Sequence, residues 1–337
     1  MPKATDGSLQ VGDALAHPGN MAFSGIPCAY LPDTTPVSIP VIVVNGVTDG
    51  PILLLTAAMH GIGVGGCEVI RRLTREVLDP RQLRGAVIAA PILNPFAYRA
   101  ARMNTPQDEY NLNRVFPGGP DQLLSHRLAH TIITELVARA DYLIDFHSNV
   151  VPSMPFTILR RTENLAVNAA AKKMADAFGI TTIEMVQQLE QHRTGTMSDW
   201  ALAAGKPSIV IELIDSRRIN IPAVTMGLRG TLNVLKVLGM LDGELDPAQS
   251  ELPVYKGNFV RMEITANKGG LVHLGKDAGD AVARGDVLAT LYDPFGNIVD
   301  VIKSPVNGYV LAYPLREIQA VATGNMVVFL AFDPAQQ

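Results

Sequence analysis

The chain has 337 residues, of which 47% are apolar and 18% are charged, a composition typical of a packed globular protein rather than a disordered one. This length suffices for two domains, or for one large domain with an appendage. The net charge of -4, without a long basic run, argues against a nucleic-acid surface. No apolar stretch reaches the roughly 18 residues that a membrane helix requires.

Two further features bear on the compartment. Residues 1–7 contain no apolar core of a secretory signal. Cys28 and Cys67 are the only cysteines and stand in unrelated contexts, which argues against a disulfide framework. We therefore expect a cytoplasmic protein.

The first 245 residues alternate between apolar runs and amphipathic segments. Continuous apolar runs predict strands covered on both faces, and apolar residues at helical spacing predict helices. In chain order, the predicted elements are strand 37–47, strand 51–58, helix 66–78, strand 85–91, helix 126–140, strand 141–145, helix 164–178, strand 206–213 and helix 225–238. This alternation predicts an α/β fold, with a mostly parallel mixed sheet and helices on both faces.

The pattern changes after Gly239. Residues 242–247 form a polar connector, and residues 253–332 show short apolar runs broken by Gly, Pro, Asn and Asp. Such a pattern is typical of a small all-β unit. The sequence therefore predicts two domains, 1–245 and 253–332.

Two histidines lie where predicted strands end. His147 closes the run that contains Asp145, and His60 ends the apolar run that begins at Pro51. Ligands of an open α/β sheet gather at the carboxyl ends of its strands, and neutral imidazole is a good zinc ligand. The pair indicates a two-histidine metal centre in which Asp145 holds the imidazole of His147. The alternative is two unrelated polar strand ends.

A polar loop without helical or strand periodicity occupies residues 111–118. Its Asn113 and Arg114 suit recognition of a substrate carboxylate, because guanidinium binds carboxylate as a bidentate fork. The alternative is an ordinary surface arginine.

Glu212 lies inside an otherwise apolar strand, where a carboxylate is costly unless it is paired or functional. Burial suits a carboxylate to general-base work near neutral pH. A salt bridge to Arg217 or Arg218 is the alternative interpretation.

Together these residues resemble the succinylglutamate desuccinylase/aspartoacylase family, which consists of zinc-dependent deacylases with a carboxypeptidase-like fold. The N-L-N-R-x-F-P-G run at 111–118 is the most specific part of the match. The other matching positions, in chain order, are His60-Gly61, Arg102, Pro106, Asp108, Asp145-Phe146-His147 and Glu212. In the predicted C-terminal domain, residues 279–286 resemble a turn of a lipoyl-type barrel.

The resemblance implies a zinc-dependent hydrolase that cleaves the amide bond of a small N-acyl amino acid. By the resemblance, His60 and His147 would bind the zinc, and Glu212 would activate the zinc-bound water. Zinc lowers the pKa of its water to about 7 and polarises the amide oxygen.

The resemblance also assigns the residues that contact substrate. Asn113 and Arg114 would hold the carboxylate of the substrate, and Arg102 would polarise the scissile carbonyl. The expected partner is the small molecule alone, without nucleic acid or membrane, while the sequence leaves a homo-oligomer open.

One position departs from the family pattern. The family has a glutamate ligand three residues after the first histidine, where this chain has Gly63. Glu68 is a weak substitute, because five residues along a helix correspond to about 7.5 Å and about 140° of rotation. Gly63 motivates one rival function, a non-catalytic carboxylate-binding protein that has lost a metal ligand. A carboxypeptidase of related fold is the other rival function.

Overall fold

The computed structural model describes residues 6–149, 152–185, 195–247, 250–315 and 318–336. Its strands are β1 Leu9–Val11, β2 Ala14–Ala16, β3 Asn20–Tyr30, β4 Pro36–Asn45, β5 Thr48–Thr56, β6 Arg84–Ala90, β7 Tyr142–Ser148, β8 Phe156–Arg160, β9 Thr182–Met185, β10 Ser208–Leu213, β11 Phe259–Thr265, β12 Gly270–Leu274, β13 Ala281–Val282, β14 Val287–Tyr292, β15 Ile298–Lys303, β16 Gly308–Ala312, β17 Ala320–Val321 and β18 Met326–Phe332. Its α-helices are α1 Val64–Arg72, α2 Pro95–Arg99, α3 Leu124–Glu135, α4 Leu165–Phe178, α5 Met197–Ala203 and α6 Ile221–Val237.

Twelve of the described strands form one sheet, in the order β13-β16-β18-β11-β9-β8-β10-β7-β5-β6-β4-β3. The neighbouring strands β6, β5, β7 and β10 pair in parallel, whereas β3 and β4 at one edge pair antiparallel. The predicted fold class is confirmed: a large mixed sheet with helices and an all-β C-terminal part.

Successive residues of β5 contribute alternately to the hydrophobic cores on the two faces of the sheet. Leu53 and Leu55 belong to a core cluster with residues of α1, α4 and α6. Ile52 and Leu54 belong to a second cluster, with residues of α3 and α5. Because successive strand residues point to opposite faces, a strand buried on both sides must be apolar throughout. This is why β5 has no polar residue between Ile52 and Leu55.

Some boundaries differ from those predicted. The helix predicted at 66–78 is α1, which ends at Arg72 and continues as a π-helical turn, Leu73–Val77. Sequence reasoning missed β3, β8 and β9. Most residues of the edge strand β3 are at least partly exposed, and β8 and β9 are short, so their apolar patterns are weak.

The C-terminal part is built of antiparallel strands. A four-stranded sheet has the order β15-β14-β12-β17, while β11, β13, β16 and β18 extend the large sheet. The junction is β11, which pairs in parallel with β9. The domain boundary near 245–252 stays a prediction. Among the described residues, no helix combines the length and apolarity needed to cross a membrane.

Replacing Phe178 by alanine tests the packing of α4 on the sheet. Phe178 is fully buried and contacts Phe146, so the variant should lose about 3–5 kcal/mol of unfolding free energy, measured by urea denaturation. Phe295→Ala is the matched control, because Phe295 is 89% exposed and its loss should cost less than about 0.5 kcal/mol. Equal losses in both variants would contradict the packing described.

Candidate active site

Three adjacent parallel strands carry polar groups to the same edge of the sheet. In the register, Thr56 of β5 pairs with Asp145 of β7, and His147 of β7 pairs with Glu212 of β10. Paired residues on neighbouring strands project from the same face. His60 follows β5 in a turn in which the Gly63 amide donates to the His60 carbonyl at 2.9 Å. The carboxyl ends of β5, β7 and β10 therefore form the candidate site.

Asp145 holds His147 in place. Its carboxylate is fully buried and accepts from the Thr56 hydroxyl at 2.7 Å and from Nε2 of His147 at 2.8 Å. An ionised carboxylate only accepts hydrogen bonds, so Nε2 of His147 carries a proton. Burial opposes charge on His147, but the charge and hydrogen bond of Asp145, with a contribution from Glu212, outweigh it and raise the pKa of His147 to about 9.

Asn111, in the loop of residues 111–118, holds the imidazole of His60 in place. Nε2 of His60 lies 3.0 Å from Oδ1 of Asn111, and this oxygen also accepts the amide of Asn113 at 2.9 Å. The second bond identifies the atom as the amide oxygen, so His60 is the donor at Nε2 and keeps its lone pair on Nδ1. Burial first, and then the charge of His147, lower the pKa of His60 to about 3.

The two imidazoles suit a metal by donor type. Their ring centroids lie 5.2 Å apart with an interplanar angle of 65°. In both, Nε2 is engaged by an oxygen acceptor, which leaves Nδ1 as the ligating atom once it is unprotonated. A catalytic zinc site normally has three protein ligands. The described residues contain no group of three His, Cys, Asp or Glu side chains that could hold a metal.

Glu68 is not brought to the histidines. Its carboxylate makes two hydrogen bonds of 2.7 Å to the guanidinium of Arg71, on the surface of α1. Glu68 is thus separated from the histidines, as the helical rotation between position 63 and Glu68 predicted.

The loop of residues 111–118 lies beside the histidines. The charge of Arg114 opposes protonation of both His60 and His147. Arg114 is an exposed residue whose Nη1 donates to the Asn113 carbonyl at 2.6 Å. Oδ1 of Asn113 accepts the Met197 amide at 3.0 Å, which ties the loop to the start of α5. The roles of Asn113 and Arg114 in binding substrate stay predictions.

Arg102 lies on the segment before this loop. Its guanidinium contacts Glu109 at 3.2 Å, and more than half of its side chain is exposed. The structure therefore pairs Arg102 with Glu109 instead of placing it against the histidines, and its role in polarising a carbonyl stays a prediction.

Sequence reasoning missed two residues that position the histidines. Asn111 was part of a recognised loop, but its contact with His60 joins residues 51 positions apart and has no local signal. Thr56 had a weak signal, since it is the first polar side chain after a run of apolar residues in β5.

Two comparisons by sequence bear on this site. A model of the succinylglutamate desuccinylase/aspartoacylase catalytic domain matches residues 49–238. The N-alpha-acetyl-L-2,4-diaminobutyric acid deacetylase of Halomonas elongata is 31% identical over 264 residues, which cover 76% of this chain and 75% of that protein.

Solved structures agree with the fold. A succinylglutamate desuccinylase/aspartoacylase from Rhodobacter sphaeroides has a TM-score of 0.82 and 25% identity, over 93% of this chain and 96% of that chain. The product-bound ectoine utilization protein EutE (DoeB) from Ruegeria pomeroyi also has a TM-score of 0.82, with 24% identity, over 98% of this chain and 97% of that chain.

Replacing Thr56 by valine tests the support of Asp145. The variant removes a donor from a fully buried carboxylate, so we expect a loss of about 1–3 kcal/mol in urea denaturation. Thr134→Val is the control, since Thr134 is exposed and its hydroxyl bonds only within α3; it should change stability by less than about 0.5 kcal/mol. A neutral Thr56→Val would refute the role given to this bond.

The pKa of His60 is lowered and that of His147 is raised, so we expect the metal-free protein to be most stable near pH 6.5, the ordinary pKa of histidine. Below it, the unfolded chain protonates residue 60 while folded His60 stays neutral down to about pH 3, so stability falls as the pH falls. Above it, folded His147 keeps its proton up to about pH 9, so stability falls as the pH rises.

Imidazole NMR titration and urea denaturation over this pH range measure both effects. The variant His147→Asn should remove the decline above pH 6.5. An unchanged decline in that variant would show that other groups cause it.

Proposed function

Because the chain belongs to the succinylglutamate desuccinylase/aspartoacylase family, we propose that it is a cytoplasmic, metal-dependent hydrolase that cleaves the amide bond of a small N-acyl amino acid. One observation carries the proposal. Two histidines held through Nε2 lie beside Glu212, in register with His147 on the next strand. Such an arrangement combines ligands for a cation with a base for hydrolysis.

His60 and His147 would hold the metal, which we propose to be zinc, through Nδ1. Imidazole nitrogen is a common zinc ligand, and an oxygen acceptor on the opposite nitrogen is the usual support for it. When bound, zinc polarises an amide carbonyl and lowers the pKa of a water molecule.

Glu212 is the proposed general base. It is partly buried and close enough to His147 for its charge to affect the pKa of that imidazole. In the proposed reaction its carboxylate takes a proton from the attacking water and returns it to the leaving nitrogen. The water oxygen bonds to the carbonyl carbon as it gives up the first proton, and the resulting tetrahedral intermediate collapses as the nitrogen is protonated, which breaks the C–N bond and yields a carboxylate and an amine.

Asn113 and Arg114 are proposed to orient the substrate. Arg114 is exposed on the loop whose Asn111 contacts His60, and its charge opposes protonation of both imidazoles, which supports a role in binding a carboxylate. We propose that Arg102 supports the developing oxyanion, which requires it to leave Glu109 when substrate binds. Losing one such donor typically costs about 3–4 kcal/mol.

The class of substrate is suggested by a relative. The Halomonas elongata protein acts, by its name, on an N-acetylated amino acid. We therefore propose N-acetyl amino acids, including N-acetylated diamino acids, as the first substrates to test. C-terminal cleavage of short peptides would favour the related-fold carboxypeptidase instead.

A non-catalytic binding protein is the second candidate, and the shortage of metal ligands among the described residues favours it. It predicts binding of N-acyl amino acids at Arg114 without turnover. Calorimetry with zinc, combined with product analysis of the purified protein, distinguishes it from the hydrolase.

The variant Glu212→Gln tests the proposed base. It removes the proton acceptor and keeps the shape of the side chain, so kcat should fall about 10²–10⁴-fold on N-acetyl amino acids. Glu68→Gln is the matched control and should retain activity, because Glu68 bonds to Arg71 on the surface of α1. Activity that survives both Glu212→Gln and chelator treatment would overturn the proposal.

A further inference from the structure

Arg217 joins the loop that follows β10 to two other segments at the same edge of the sheet. It lies five residues after Glu212, the proposed base. Its backbone N–H donates to the carbonyl of Ile62, in the turn that carries His60, at 2.7 Å. Nη1 of its guanidinium donates to the carbonyl of Ala101 at 3.0 Å.

The bond from the guanidinium falls on the peptide group that leads into Arg102. The carbonyl of this peptide belongs to Ala101 and accepts from Arg217. Its N–H belongs to Arg102 and donates to the Ala97 carbonyl in α2 at 3.0 Å. Both polar groups of the peptide are therefore engaged, one by α2 and the other by Arg217. Together they fix the backbone from which the Arg102 side chain starts.

The end of α2 also packs directly on the turn after His60. A Cβ atom on Gly61 would overlap the backbone of Ala97, so this close approach requires a glycine. Ile62, the next residue, accepts the amide of Arg217. The turn, the end of α2 and the loop after β10 therefore contact one another in pairs, and Arg217 makes two of these three contacts.

The backbone of Arg217 is strained. Its φ is 71°, in the left-handed region that residues with a Cβ rarely adopt. Of the six non-glycine residues with positive φ in the described ranges, five lie in segments that lead to or from proposed site residues: Ala58, Ala101, Glu109, Asp215 and Arg217. Such conformations persist where the surrounding structure enforces them, and they cluster at functional sites. Glycine would adopt this backbone with less strain, so the arginine side chain must contribute something that glycine lacks. The bond to Ala101 is such a contribution.

We propose that Arg217 is a positioning residue, which fastens the segment that carries Arg102 to the turn that carries His60. The inference rests on the proposed function, in which Arg102 supports the developing oxyanion. It deepens that function by naming the residue that holds the backbone of Arg102 in place. The side chain of Arg102 can then exchange Glu109 for substrate while its backbone stays fixed.

Amide hydrogen exchange tests this fastening without an activity assay. Arg217→Gly removes the guanidinium, keeps the N–H that bonds to Ile62 and relieves the left-handed backbone, so the variant should fold. Peptides that cover residues 100–110 should exchange severalfold faster in this variant, because their tie to the His60 turn is lost. Peptides from β7 and α6 should exchange as in the wild-type protein.

Kinetics distinguish positioning from a merely structural role. In Arg217→Gly, kcat on N-acetyl amino acids should fall about tenfold to a hundredfold, and KM should change less than about threefold, because a misplaced Arg102 affects chiefly the transition state. Arg102→Ala sets the upper limit of this effect. Adding Arg217→Gly to Arg102→Ala should cause no further loss, since the residue through which Arg217 acts is then absent.

Two further variants are controls. Arg217→Lys keeps a cationic donor for the Ala101 carbonyl, so it should retain the slow exchange and most of kcat. Arg218→Gly removes the same charge from the neighbouring exposed residue and should leave both measurements unchanged. Urea denaturation confirms that each variant is folded.

The outcomes separate the inference from the proposed function. Unchanged exchange of residues 100–110 in Arg217→Gly overturns the inference, whatever the activity of the variant. A rise in KM at constant kcat overturns the positioning role and indicates direct contact of Arg217 with substrate, and additive losses in the double variant show that Arg217 does not act through Arg102. If the wild-type protein hydrolyses no N-acyl amino acid, the proposed function fails, and the exchange comparison alone decides whether Arg217 fastens the segment.

Discussion

The site depends on one buried carboxylate. Asp145 is completely enclosed by the sheet and its covering layers, and an isolated charge there would be prohibitively costly. Its two partners come from different places: the Thr56 hydroxyl from the neighbouring strand and Nε2 of His147 from its own strand. Satisfying Asp145 therefore fixes the register of β5 against β7 and the orientation of the imidazole at once.

The contact between Asp145 and His147 also affects the pKa of His60. Asp145 compensates a positive charge on His147, and this charge, added to burial, disfavours a second one on His60 only 5.2 Å away. The neutral oxygen of Asn111 accepts a hydrogen bond from His60 without offering a counter-charge that would favour protonation. One carboxylate and one amide thus give two neighbouring imidazoles different charges. Two identical hydrogen-bond acceptors would not give the two imidazoles different charges in this way.

The strands that carry the site could be predicted from the sequence, because strand ends are local features. The apolar runs that lead to His60, His147 and Glu212 predicted β5, β7 and β10, and topology then required their carboxyl ends to share one edge. The loop of residues 111–118 was recognisable by its motif. The contact of Asn111 with His60 was not, because it depends on how a loop without periodicity folds back over the sheet. Likewise, the ion pair between Arg102 and Glu109 follows from the conformation of an exposed segment, for which hydrophobic periodicity gives no information.

The supports of His60 and His147 hold both rings in place with Nε2 engaged, and this arrangement does not depend on the residue at position 63. The backbone at Gly63 would accept a side chain, and the neighbouring atoms are at contact distance instead of in collision. Packing therefore does not explain the glycine. Oγ of Ser148, which is buried and has no partner among the described residues, would lie 3.9 Å from a Cβ at this position. Position 63 is thus open to a side chain in both backbone conformation and packing, whereas Asp145 and Asn111 set the orientation of the two rings.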